Sequence, residues 1–288
     1  IPGRRLVVRV EASSAPFHRG GLEQVCHGAW GAPGQALLQD ALGSGLDTRL
    51  HIDGETLTVR VRARRRARHR ALALAASWRG VLLSRAATLQ YPALWWAGVG
   101  GAGPLHGCAA QLGGLDIVLA GAAGAGKSTL LAQPGTTAVA TDNLGVWDGR
   151  SLQGLPEPVR TATGTGRRMP HGRREAPRDA WVAAVAPDTL VLLRRGGVAA
   201  PTVESLSRTE ALRELVAGTF AAGELRRYWP YAATLALATG LGSPDPLVGW
   251  AAADLLTRVD AVRCTIPDGP LTTPAQLATA LRARALTW

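Results

Sequence analysis

Apolar and polar residues alternate through RLVVRVE (5–11), a period of two that predicts a half-buried strand. The same period runs through LDTRLHIDGETLTVRVRAR (46–64) on both sides of Asp53-Gly54, a dipeptide suited to a tight turn, so a hairpin is expected there. Helical spacing takes over across 67–98, and the glycine-rich GVGGAGP (98–104) marks the expected hinge between two domains, 1–100 and 101–288. Beyond the hinge, HGCAAQ, LDIVLAG and TTAVATD (136–142) read as strands, with a helix from Lys127 to Gln133 and a further hairpin in GVWDGRSL. TLVLLRR (189–195) and AVRCTIP (261–267) are buried strands by the same rule. SRTEALRELVAGTF (207–220) is a helix opened by Ser207 and Glu210, two or three more helices follow it, and TPAQ opens the last. Residues 156–179 are polar, basic and rich in Pro and Gly; they read as a long loop, and such loops inside a domain are commonly functional.

With 47% hydrophobic residues in 288, the chain can fill a core, which excludes wholesale disorder and collagen-like or heptad fibres. The net charge of +11 conceals a sharper number: 31 arginines stand against one lysine, Lys127. Any motif that requires lysine therefore has one place to occur. Three scattered cysteines draw neither a disulfide framework nor a CxxC metal site, so a reducing, cytoplasmic location is expected. The opening residues carry arginines and Glu11 where a secretory leader needs an apolar run. The uncharged stretch from Ala86 to Leu115 is interrupted by Pro92, Pro104 and the glycine run, so no membrane span is expected.

That lysine sits in LDIVLAGAAGAGKSTLL (115–131), where Gly121, Ala122, Ala123, Gly124, Ala125, Gly126, Lys127 and Ser128 complete a GxxxxGK[ST] pattern, followed by Thr129. Glycines let the backbone turn so that successive amides face phosphate oxygens, and a helix starting there adds the positive end of its dipole. Lys127 would supply an ammonium to the β- and γ-phosphates of a nucleotide, and the Ser128 hydroxyl a ligand to Mg2+. A GTPase motif of the NKxD type needs a second lysine and is ruled out, and no LSGGQ or DExx signature is present. Asp142, ending the strand TTAVATD, could hold Mg2+, take a proton from an attacking hydroxyl, or serve only as a turn aspartate.

The run PLHGCAAQLGGLDIVLAGAAGAGKSTLL resembles the core of the HPr kinase family. There an HG pair opens a strand, a short turn follows, and a second strand enters the nucleotide loop; here His106-Gly107 precedes Gly121 by fifteen residues, and ATDN (140–143) falls where the family has a strand ending in acids. The resemblance implies an α/β P-loop domain with a central, mostly parallel sheet, preceded by a smaller α+β domain. It also implies a kinase that moves the γ-phosphoryl of ATP to a serine or threonine hydroxyl of a peptide or protein. Gly121, Gly124, Gly126, Lys127 and Ser128 match the family's nucleotide loop, Asp142 its general base, and His106 its histidine flanking the active site. Asn143 stands where a second acid is usual, and no ERGxG signature follows, which points to a divergent relative rather than a bifunctional HPr kinase/phosphorylase. Relatives of this kind accompany peptide natural-product pathways, lasso peptides included, so a precursor peptide is an expected partner. Members often assemble, which leaves a homo-oligomer open. Residues 1–100 carry no part of the resemblance.

Two arginine clusters hold the excess charge. VRVRARRRARHR (59–70) places Arg60, Arg62 and Arg64 on one strand face, either as a solvated face or as a docking surface for an acidic peptide. Nucleic acid is disfavoured, because two Phe and three Tyr leave little for base stacking. Arg167, Arg168, Arg173 and Arg174 lie in the long loop, and one of them, with Arg168 and Arg173 favoured, is expected to close over the γ-phosphate. Two other functions stay open: a kinase of a small hydroxylated metabolite, and a non-catalytic nucleotide-binding protein that presents a precursor peptide.

Overall fold

The computed structural model describes residues 4–12, 15–64, 77–154, 159–161, 165–167, 174–176, 181–223, 225–269 and 271–285. Its α-helices are α1 (Ser77–Arg85), α2 (Tyr91–Val99), α3 (Lys127–Leu131), α4 (Arg208–Ala221), α5 (Tyr228–Thr239), α6 (Val248–Leu255) and α7 (Pro274–Ala285). None among the described residues is long and apolar enough to cross a membrane. The chain is mixed α/β and divides into two units, Ile1–Ala102 with Gly223–Leu247, and Gly103–Ala222 with Val248–Trp288.

Six strands order the first unit: β1 (Arg5–Val10), β2 (Glu23–Cys26), β3 (Ala29–Ala32), β4 (Gln35–Leu38), β5 (Leu46–Asp53) and β6 (Thr56–Ala63). They lie as β1-β6-β5-β4-β3-β2, antiparallel except for the parallel pair β1 and β6. The Asp53-Gly54 turn joins β5 to β6 as the alternation predicts, and along β6 Leu57, Val59 and Val61 are buried while Arg60 is exposed. β2, β3 and β4 had no clear alternation to announce them. A π turn at Ala86–Gln90 links α1 to α2; the expected start of this helical stretch, 67–76, lies outside the described residues.

Residues 223–247 correct the expected boundary, which placed them in the second domain. α5 packs against β3, β4 and α2, and Gly31 of β3 runs so close under the Ala238 backbone that a Cβ there would overlap it. Tyr228 and Tyr231 bring their rings to 5.4 and 5.6 Å from Tyr91, and burial pushes both phenol pKa values up. The arginine face of β6 is also less open than a docking surface requires. Arg60 pairs with Glu11 at 2.6 Å, while Arg62 and Arg64 both reach Asp47, which is 2% exposed and also accepts the Asp40 amide at 2.9 Å. The rest of that cluster lies outside the described residues.

The second unit contains β7 (Gly103–His106), β8 (Cys108–Leu112), β9 (Leu115–Ala120), β10 (Thr136–Thr141), β11 (Leu144–Trp147), β12 (Leu152–Gly154), β13 (Val159–Thr161), β14 (Arg174–Ala176), β15 (Ala184–Val185), β16 (Thr189–Gly196), β17 (Thr202–Ser205) and β18 (Asp260–Pro267). Its main sheet runs β10-β8-β9-β16-β18-β17. Only β9 with β16 and β16 with β18 pair in parallel; the other neighbours are antiparallel, so the sheet is mixed rather than mostly parallel. The reversal of β8 comes from the two-residue turn Gly113-Gly114, both at positive φ, which can return β8 into β9 only as a hairpin. One face of this sheet packs on α4, α6 and the antiparallel sheet β15-β12-β11-β7 through Val118, Leu190, Leu192, Trp147, Leu215 and Leu255. The other buries Ile117, Leu119, Val191, Cys264 and Ile266 under Leu130, Leu131 and Leu277 of α3 and α7. Within the stretch read as a long loop, β13 and β14 pair antiparallel, and β13 runs beside α3.

Asp47→Ala removes the carboxylate that Arg62 and Arg64 share, and should lower unfolding free energy by about 3–5 kcal/mol in urea titration. Burial pushes the Cys264 thiol up to about 11, so little thiolate exists at pH 8. Native alkylation at that pH should label exposed Cys26 quickly and reach buried Cys108 and Cys264 only in denaturant; equal native labelling of all three would contradict this packing.

Candidate functional site

Strand directions bring the candidate residues to one edge of the main sheet. β9 and β16 run parallel, with Leu192 level with Ala120, so the loop after β9 and the end of β16 emerge together. β8 runs against both β9 and β10, so Cys108 is level with Leu119 and Thr141 with Ala109. Asp142 thus stands at the same edge, two interstrand spacings or about 10 Å from β9. This carboxyl edge is where open α/β sheets place ligands.

The loop at this edge depends on its glycines. Gly121, Gly124 and Gly126 have φ of 139°, 86° and 107°, a region that residues with a Cβ avoid. Gly121 also lies against the Leu193 carbonyl of β16, where a Cβ would not fit. Ala122, Ala123 and Gly124 form the exposed crest, whereas Ala125 is buried in the core with Leu130 and Leu131 and anchors the loop. Lys127 is 8% exposed; its Nζ turns back to donate to the carbonyls of Gly121 at 2.7 Å and Ala122 at 3.2 Å. Ser128 is half-buried and Thr129 exposed on α3. That helix ends at Leu131 rather than at Gln133 and has five residues, so the loop and Lys127, more than a helix dipole, define the cradle.

Asp142 and Asn143 carry the chain from the main sheet into the second. Thr141 closes this turn: its hydroxyl donates to the Leu144 carbonyl at 2.8 Å and accepts the Leu144 amide at 3.1 Å. Asp142 is 4% exposed, and the Cys108 thiol donates to its carbonyl at 2.7 Å and lies 3.8 Å from Oδ1. Against the same turn lies the junction of β7 and β8. His106 Nε2 is 3.2 Å from Asn143 Oδ1, and the Gly107 amide donates to the Asn143 carbonyl at 3.0 Å. The His106 amide donates to the buried Thr219 hydroxyl of α4 at 3.1 Å. His106, Asp142 and Asn143 therefore meet at one corner, one strand away from the glycine loop.

On the other flank, a cleft of about 410 Å3 opens beside the loop at the carboxyl end of β16, lined also from β18 and α4. Arg194, Arg195, Arg263 and Glu214 line it together with Gly121–Ala125; Lys127, Ser128, Asp142 and His106 do not. Arg263 bonds Glu204 at 2.8 Å and Glu214, and holds the Glu204 carboxyl below its ordinary pKa. Arg195 reaches the loop itself, with Nε donating to the Gly124 carbonyl at 3.3 Å. It had no role in the sequence reading, although two arginines ending the apolar run TLVLL are a legible signal at a strand's carboxyl end. Arg168 and Arg173 lie outside the described residues. Of their neighbours, exposed Arg174 donates to the Gly166 carbonyl at 3.2 Å, and Arg167 is exposed.

The residues present suit a nucleotide's phosphates: a turn of positive-φ glycines, a lysine folded into it and a half-buried hydroxyl. For a divalent ion the donors are sparser. Among the described residues no three His, Cys, Asp or Glu side chains gather; the Ser128 hydroxyl and the Asp142 carboxylate are the oxygens that could meet an ion here.

Replacing Gly121 by alanine should destabilise the fold by about 1–3 kcal/mol through the clash with Leu193, and more than Gly124→Ala, whose Cβ meets open space. Chemical denaturation of the two variants checks the order. The sequence matches no protein-family model and no curated protein at a significant level.

Proposed function

We propose that this chain is an ATP-dependent P-loop phosphotransferase, similar to the HPr kinases, that phosphorylates a serine or threonine hydroxyl of a peptide or protein. The observation that carries the reading is the position of Lys127. The only lysine of the chain is folded against the Gly121 and Ala122 carbonyls, inside a turn whose three glycines all take positive φ. A turn of ordinary structural purpose needs neither the lysine nor three such glycines.

In this reading the backbone of 121–126 and the Lys127 ammonium hold the β- and γ-phosphates. The acceptor hydroxyl attacks the γ-phosphorus in line, the bond to the β,γ-bridging oxygen breaks, and Asp142 takes the hydroxyl proton as ADP leaves. Cys108 and the Thr141 turn keep Asp142 in place, and His106 with Asn143 forms the adjoining wall. The Ser128 hydroxyl and Asp142 would hold Mg2+, which when bound neutralises phosphate charge. The burial of Asp142 raises the contribution of positioning and electrostatics, since little water remains to screen it. One of Arg167, Arg168, Arg173 and Arg174 is a candidate to assist; β14, which begins at Arg174, pairs with β13, and β13 runs beside α3.

Asp142→Asn should reduce phosphoryl transfer by about 100- to 10,000-fold while ATP binding survives, and Lys127→Ala should cost more than about tenfold in ATP affinity. Calorimetry reads the binding, and mass spectrometry of candidate precursor peptides incubated with ATP–Mg2+ reads the added phosphate. Consumption of ATP with small hydroxylated metabolites alone would favour a metabolite kinase. ATP binding without transfer, with partner binding unchanged in Asp142→Asn, would favour a non-catalytic accessory protein.

A further inference from the structure

We propose that Arg195 is a second phosphate-binding cation of this site, gripping the non-transferred phosphates from the flank opposite Asp142; the proposal rests on the nucleotide reading above. β16 lies beside β9 on the side away from β8 and β10, so the loop is bracketed by Asp142 on one flank and Arg195 on the other. The Arg195 guanidinium spans from the Gly124 carbonyl, 3.3 Å from Nε, to the carbonyls of Pro267 and Asp268, 2.9 and 3.2 Å from Nη1. Its Nη2 lies 3.3 Å from where a Cβ at Gly126 would sit, so the absence of a side chain there gives the guanidinium its room over the loop.

The charge balance separates Arg195 from its neighbours. Arg263 is neutralised by Glu204 and Glu214, and Arg194 approaches Glu204 at 3.5 Å. Among the described residues Arg195 meets carbonyl oxygens and no carboxylate, as does Lys127. Two cations whose charge no carboxylate balances thus touch one six-residue turn, from its start and from its crest. Carbonyl dipoles orient these groups without cancelling their charge, and a polyphosphate is the ligand that would cancel both. With Nε and Nη1 held by carbonyls, Nη2 is the donor left to meet a phosphate oxygen, at a position the rigid guanidinium plane fixes.

Sidedness then follows. The transferred phosphoryl group must lie toward Asp142, which leaves the β-phosphate nearest Arg195 and the nucleoside directed into the cleft lined by Arg194, Glu214 and Arg263. Arg195 therefore governs binding of nucleoside di- and triphosphates.

Calorimetry on the full chain with ATP, ADP and AMP tests this, comparing wild type, Arg195→Gln and Arg195→Lys. The glutamine variant should lose about tenfold or more in affinity for ATP and ADP and less than about threefold for AMP, with lysine restoring part of the loss. An equal loss for all three nucleotides would mean that Arg195 only props the loop, and no loss would remove it from the site; either result overturns the proposal. Melting temperatures without nucleotide show whether each variant is folded, and Arg195→Lys carries the comparison if the glutamine variant is not. A wild-type chain that binds neither ATP nor inorganic tripolyphosphate overturns the nucleotide reading and this proposal with it; wild-type binding alongside an unaffected glutamine variant overturns Arg195 alone.

Discussion

The approach of the Gly121 backbone to the Leu193 carbonyl constrains everything at the carboxyl edge of the second unit. Parallel pairing of β9 with β16 brings the two chains together there, and only a residue without a Cβ lets the loop leave β9 at that height. From that departure the remaining geometry follows. The crest of 122–124 stands clear of the sheet, Ala125 returns to the core, and Lys127 is left beneath the turn with the carbonyls of Gly121 and Ala122 as its partners. The same pairing delivers Arg195 to the crest from the neighbouring strand. One backbone contact thus sets the position of both cations.

The other corner is organised by a change of sheet. Asp142-Asn143 takes the chain from β10 to β11, and His106-Gly107 takes it from β7 to β8, so two crossings between the same two layers touch each other. A polar side chain at such a crossing is held from both layers without being buried in an apolar core. Asp-Asn is ordinary turn chemistry, but here the Thr141 hydroxyl, rather than the Asp142 carboxylate, closes the turn.

Local patterns were legible wherever one face of an element is buried or a cap fixes its end. The β5–β6 hairpin, the strand entering the glycine loop, and the Ser207–Glu210 capping box of α4 are all visible as residue patterns. Partners distant in sequence were not. Nothing in the alternation of TLVLLRR says that it pairs in parallel with LDIVLA, and nothing around Tyr228 says that its helix belongs with residues 1–102. The expected mostly parallel sheet failed at a local feature, the Gly113-Gly114 turn, whose two positive-φ residues impose an antiparallel return. For the site, the glycine loop and both corner residues could be named because their chemistry needs particular residue types in sequence order. Arg195 could not, since its meaning comes from the strand beside it.

Arginine abundance makes the distribution of charge more informative than its total. On β6 the strand arginines are consumed by Asp47 and Glu11, and on β18 Arg263 is consumed by two glutamates, so most of the described clusters are structural ion pairs that carry no demand for a ligand. The exposed pairs among them, those of Glu11, Glu204 and Glu214, contribute little to stability, unlike the buried Asp47 pairs, and a composition rich in arginine produces them freely. Other described arginines also meet no carboxylate, Arg174 on the Gly166 carbonyl and Arg282 on the Gly113 carbonyl among them, but Lys127 and Arg195 meet carbonyl oxygens of one and the same turn. Had the basic character of this chain been compositional alone, cations lacking acidic partners would be expected at the exposed surface, where water solvates them. Arg174 and Arg282 are such exposed cations, whereas Lys127 is 8% exposed, and to keep an ammonium that deep without a carboxylate costs desolvation free energy that two carbonyl dipoles only partly return. That unbalanced cost, localised at a glycine turn, is what supports the proposed phosphate site over a solvated basic surface.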